Sequence, residues 1–191
     1  MNMNGIHVEI MWKEIAIILL IICLLRYTVD FYLVYKYKKL NNAFLEGRWE
    51  GLEEKLIKHR GICNIFSEGP FNRNIRVLYN GLCVALASIA YVRQDEEMFL
   101  YHLNYIKRED EYEMKAFILS LYYHAKKNEK KGEFYYKIYL NCSPKGKRMR
   151  DILEYIYGER QELLPNSLES FRNPAIIKLF HENNIINDEK R

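Results

Sequence analysis

Histidine and cysteine are the residues best suited to metal or nucleophilic chemistry, and their spacing decides whether this chain could perform it. His7, His59, His102, His124 and His181 form no HxxxH or HExxH pair, so helix-borne zinc hydrolysis has no support. Cys23, Cys63, Cys83 and Cys142 lie at least 20 residues apart, which removes CxxC metal and redox motifs and favours reduced, mostly buried thiols. His59 and Cys63 are spaced i,i+4, but they flank Arg60-Gly61, where the pattern predicts that a helix ends. His102 and His124 are expected as ordinary polar residues on helix surfaces or interfaces. No GxxxxGK[ST] loop cradles a phosphate and no GxSxG elbow presents a serine. Glu53-Glu54 and Glu96-Glu97 are adjacent pairs that do not converge on one helix face. The expectation is a non-enzyme without metal or cofactor.

The charged residues point elsewhere. A formal net charge of +4 fits an anionic membrane surface or an acidic partner and is too small to indicate nucleic acid. In "KGKRMR", Lys145, Lys147, Arg148 and Arg150 place four cations at the start of a helix, where the macrodipole disfavours each by about 0.3–1 kcal/mol. A solvated cluster is the first reading. Contact with anionic lipid is the second, each cation contributing about 1 kcal/mol near such a surface. Nucleic acid stacked on Tyr135, Tyr136 and Tyr139 comes third, because core packing accounts for those tyrosines. The segment "RGICNIFSEGPFNRN", Arg60 to Asn74, is expected as a long connection whose Ile62, Ile65, Phe66 and Phe71 either pack back or meet a partner.

Arg26 and Asp30, one helical turn apart, stand directly behind an unbroken apolar run of eleven residues, Ile15 to Leu25. Such a run is too short to cross a bilayer, which takes about 20 residues. Extension in both directions predicts a transmembrane helix over residues 10–35, with Ile15, Leu19, Ile22 and Leu25 facing lipid. Trp12 at one end and Tyr32, Tyr35 and Tyr37 at the other suit interfacial aromatic belts. Arg26 and Asp30 are expected to pair near the inner end of the span, or to meet another membrane protein there. Arg26, Lys36, Lys38 and Lys39 follow the core against Lys13 before it, so the positive-inside rule predicts an outer tail over residues 1–9 and a cytoplasmic domain over 36–191. The expected localisation is a single-pass membrane protein.

The domain behind the anchor reads as all-α. Only four prolines and nine glycines in 191 residues, with 49% hydrophobic residues, allow long helices around a real core. Apolar stripes of period 3.6 recur: Leu33, Tyr37, Leu40, Phe44; Trp49, Leu52, Leu56; Ile75, Leu78, Leu82, Leu86, Ile89; Phe99, Leu103, Ile106; Phe117, Leu121, Tyr122; Ile138, Tyr139; Ile152, Leu153, Ile156; Ile176, Leu179, Phe180. Asp95, Ser143 and Asn173 read as N-caps, the last two each followed by a proline at the first helical position. Antiparallel helical hairpins, as a solenoid or a small bundle, are the predicted architecture.

"AFLEGRWEGLEEKL", Ala43 to Leu56, resembles the turn and second helix of a tetratricopeptide repeat. Ala43, Gly47, Trp49, Leu52 and Leu56 stand where that pattern has small, glycine, aromatic, small and large residues; Leu52 is larger than the usual alanine. Neither "YVRQDEEMFLYHL" nor "YHAKKNEKKGEFYYKIYL" keeps the glycine–aromatic pair. The resemblance implies protein or peptide binding on a concave face. The resulting expectation is a membrane-anchored adaptor for a protein partner, the alternative an accessory subunit of a larger secretion or envelope complex.

Overall fold

The computed structural model describes residues 3–68, 72–107, 113–142, 148–163 and 168–186, with side chains from Trp12 onward. Among these residues there are eight helices and no strand: α1 (Met3–Leu45), α2 (Leu52–Phe66), α3 (Arg73–Val92), α4 (Glu96–Asn104), α5 (Glu113–Ala125), α6 (Glu129–Cys142), α7 (Arg148–Ile156) and α8 (Pro174–Glu182). The all-α expectation holds, and the helices pair as hairpins.

The α1–α2 hairpin is antiparallel and tied at two points. Nε2 of buried His59 donates to the Leu33 carbonyl at 3.2 Å, and Nε1 of Trp49 donates to the Phe44 carbonyl at 2.9 Å. Helix α3 lies beside α1 in the same direction, since Arg26 reaches Asn72 at one end while Tyr37 meets Gly81 nine residues further along α3. Glycine at 81 makes room for Tyr37, because a Cβ there would force the ring and hydroxyl to shift. Helix α4 returns along α3, held by two hydrogen bonds between the Asn80 amide and the Lys107 backbone, at 3.0 and 3.1 Å. Helices α5 and α6 repeat the arrangement, with Tyr123 stacked on Tyr135 and Ser120 Oγ donating to the Gly132 carbonyl.

Five of these helices stop in the same way, α7 around Gly158 and α8 around Asn184, and the other three at hairpin turns. At the end of α1, Arg48 N–H bonds to the Ala43 carbonyl and Gly47 N–H to that of Phe44, the Schellman pattern, with Gly47 at φ +74°. Helix α3 ends with the same two bonds around Gln94 (φ +66°) and α5 with the same two around Lys127 (φ +56°). The hairpins behind the first therefore keep the turn while lacking its glycine. The expected cap at Asp95 is made, its carboxylate accepting from Met98 N–H at 3.0 Å, and Asn173 caps α8 with Pro174 in the first turn.

One sequence expectation is corrected. Helix α2 does not end at Arg60-Gly61 but runs to Phe66, so most of the segment predicted as a long connection is helical. Cys63 continues the buried stripe of Leu52, Leu56 and His59, and this packing outweighs the roughly 1 kcal/mol penalty of the exposed Gly61. His102, expected at a helix surface or interface, is buried and meets Arg60 of α2 at 3.1 Å, and His59 is buried too. Ser143 and Pro144 lie outside the described residues, as do Lys145 and Lys147.

Candidate membrane anchor and partner surface

Two helices among the described residues are long and apolar enough to cross a membrane, α1 from Trp12 and α3. For α3 the composition has another cause, since the residues from Leu82 to Tyr91 are all buried and the helix is the centre of the domain. For α1 it does not. Trp12, Ile15, Leu19, Ile22 and Leu25 are all exposed, Leu25 at 62%. An apolar cylinder open on every side is stable where its surroundings are themselves apolar.

From Arg26 onward the surface of α1 divides. One face turns inward: Val29 packs on the core, and Leu33 (1% exposed), Leu40 and Phe44 belong to it. The opposite face carries exposed Tyr27, Phe31, Tyr32 and Tyr35. The C-terminal part of the helix expected to span over residues 10–35 is therefore shared between exposed aromatic surface and domain core.

Arg26 and Asp30 form the expected i,i+4 pair at 3.1 Å, and Arg26 Nη2 also donates to Asn72 Oδ1 at 2.5 Å. Asn72 in turn donates to the Glu68 carbonyl at 2.5 Å. Lys107 Nζ donates to Ser67 Oγ at 2.7 Å and lies 3.3 Å from the Glu68 carboxylate. A continuous polar chain thus joins the anchor to the α2–α3 corner. Nothing in the sequence near Asn72 signalled this role, because the contact spans 46 positions.

Of the cationic cluster, Arg150 is neutralised by Glu154 at 2.7 Å, and Arg160 bridges Asp151 and Glu154 beside it. Arg148 remains exposed. With Arg172 it rims a cavity of about 520 Å³ whose walls include Leu45, Met114, Met149, Phe171 and Ile176. Neither arginine has an acidic partner among the described residues. A second cleft of about 320 Å³ is lined by Lys36, Lys39, Arg48 and Lys55, with Glu50 the one acidic residue on its wall. Helix α8 packs over α3 and α5, burying Ala175, Ile176, Leu179 and Phe180. Full burial of the last three contributes about 5–9 kcal/mol, so α8 is a structural part of that face.

The residues of the repeat-like turn lie close together. Gly47 closes α1, Trp49 is half-buried and stacked on Phe44 with centroids 6.4 Å apart, and Leu52 is buried. Burial pushes the Cys63 and Cys83 thiols up to about 11, away from the thiolate a nucleophile needs. Among the described residues no group of three or more His, Cys, Asp or Glu could hold a metal ion.

No protein-family model, curated protein or solved structure matches the chain.

Proposed function

We propose that this protein is a membrane-anchored helical adaptor that presents its domain to a protein partner at the cytoplasmic face. The reading is carried by α1, a single unbroken helix whose stretch from Ile15 to Leu25 is apolar and exposed and whose second half belongs to the domain core. The cytoplasmic orientation is supported by the Lys/Arg excess behind the apolar run. The tetratricopeptide resemblance would direct a partner to the face formed by α1, α3 and α5. Because α8 covers the α3–α5 part, the remaining opening is the apolar cavity rimmed by Arg148 and Arg172. An apolar segment bearing acidic residues fits it. The complex-subunit alternative needs Arg26 and Asp30 to seek partners in another span, and Asn72 of the same chain already supplies one.

The test places a photoactivatable residue at Met149 of the full chain in intact membranes. A discrete protein adduct is expected, lost in an R148E/R172E variant of unchanged helicity. If wild type and variant give the same adducts, or none, the adaptor reading at this cavity fails. A reporter active only in the cytoplasm, fused after Arg191, should be active; silence there would reverse the orientation.

A further inference from the structure

The α1–α2 hairpin holds a cleft of about 320 Å³ with a cationic wall: Lys36 and Lys39 on α1, Arg48 in the turn and Lys55 in the first turn of α2. Glu50 is the one acidic residue on that wall, and the cleft shares no lining residue with the cavity beside Leu45. Packing fixes its shape without a ligand. Leu40 on α1 and Leu52 on α2 are buried, and the Trp49 indole is bonded to the Phe44 carbonyl across the turn.

Four cations around one concave surface repel each other and call for counter-charge. The fold supplies little of it. Lys36, Lys39 and Lys55 have no acidic partner among the described residues, and Glu50 forms no ion pair with any of the four cations. Arg48 pairs with Glu46 alone, and both side chains are more than half exposed, so that pair gives way readily to a stronger anion. Glu53, in the first turn of α2, is drawn away to Arg93 at 2.6 Å. Burial lowers the His59 pKa, and the unneutralised charge of Lys36 adds to the effect. The helix ends favour an anion too. The last carbonyls of α1 are taken by the N–H groups of Gly47 and Arg48 and by the Trp49 indole, whereas α2 begins at Gly51, which offers its first amides no side-chain cap.

We infer that this cleft binds a phosphoryl group carrying two or more negative charges, a phosphomonoester or pyrophosphate, borne by a soluble small molecule or by a phospholipid headgroup. Arg48 supplies a planar fork for two phosphate oxygens, and the lysines supply three point charges around it. A carboxylate, with one charge, neutralises the cluster less completely. This site goes beyond the adaptor reading and does not depend on the partner cavity.

Lysine acylation, read residue by residue by mass spectrometry, tests the site on the full chain in a neutral detergent with inorganic pyrophosphate as the probe. Pyrophosphate should slow acylation of Lys36, Lys39 and Lys55 several-fold and leave exposed Lys130 on α6 unchanged. Sodium chloride or succinate at equal ionic strength should protect none of them. In E50Q the protection should appear at several-fold lower pyrophosphate, and in R48Q/K55Q it should be lost from Lys36 and Lys39. All three substituted positions are exposed, so the helical circular dichroism of both variants should match wild type. A second arm places the full chain in vesicles of phosphatidylcholine with or without phosphatidic acid. Protection added by phosphatidic acid assigns the phosphoryl group to a headgroup; protection by pyrophosphate with none from phosphatidic acid assigns it to a soluble compound. No protection in either arm, equal protection by succinate, a weaker response in E50Q, or protection that survives R48Q/K55Q overturns the site.

Discussion

Burial and the neighbouring Arg60 guanidinium push His102 down to about 4, and Arg60 Nη1 donates to its Nδ1 at 3.1 Å, which leaves the proton of the neutral ring on Nε2. The folded value lies below the unfolded one of about 6.5, so on acidification the unfolded chain takes up the proton first. Stability is full above about pH 6.5, declines as the pH falls toward 4, and levels off below. Between pH 7 and 5 the loss from His102 should be roughly 2 kcal/mol. His59 acts in the same direction, burial lowering its pKa against the opposing pull of the Leu33 carbonyl. H102Q keeps an acceptor for Arg60 and cannot titrate, so its urea midpoint should vary less between pH 7 and 5; an equal slope in both proteins would rule this account out. Trp49 gives a second expectation at this scale. Trp49→Ala should cost about 2 kcal/mol, below the roughly 3–5 of a fully buried aromatic because the ring is half-exposed. Trp49→Phe keeps the stack on Phe44 and loses only the bond to its carbonyl, about 1 kcal/mol. A cost within about 0.5 kcal/mol of zero for the alanine variant would show that the indole does not hold the hairpin.

At the scale of elements, the shared ending of α1, α3 and α5 makes a prediction opposite in sign to most substitutions. Gln94 and Lys127 hold the left-handed conformation that costs a non-glycine residue about 1–2 kcal/mol, while Gly47 holds it freely. Gln94→Gly and Lys127→Gly should each raise stability by about 1 kcal/mol, and Gly47→Ala should lower it by a similar amount, all read from denaturant midpoints. The gain is net of the extra freedom glycine has in the unfolded chain. Destabilisation by either glycine would mean that the side chain at that turn makes compensating contacts. This also explains why only the first repeat-like turn was readable in the sequence. Glycine announces a left-handed residue, whereas glutamine and lysine adopt one only because the packed helices on either side demand it.

For the molecule as a whole, α1 divides near Arg26 into a stretch, Trp12 to Leu25, that is exposed and a part the domain cannot lose. Removing residues 1–25 deletes exposed apolar surface and no buried side chain among the described residues. The remaining chain should run as a monodisperse species without detergent, with a helical circular dichroism spectrum. Removing residues 1–45 also takes Leu33, Leu40 and Phe44 and uncovers the faces of α2 and α3 they pack on, so it should yield aggregated or unfolded protein. Equal behaviour of the two truncations would show that the second half of α1 is dispensable to the core.

Periodicity and apolar run length, both properties of neighbouring residues, were enough to determine the all-α class, the apolar stretch around Ile15–Leu25, the caps at Asp95 and Asn173, and the turn at Gly47. They could not place α2 beyond Gly61, because a solvent-facing glycine reads as a helix end until the buried stripe through Cys63 is seen to pack. Nor could they bury His102, seat α8 on α3 and α5, or give Arg26 its partner 46 residues away at Asn72. Those features depend on which helix faces meet across the fold. A local pattern shows that a helix has an apolar face, while only tertiary packing decides what covers that face and which distant polar groups come within hydrogen-bonding reach.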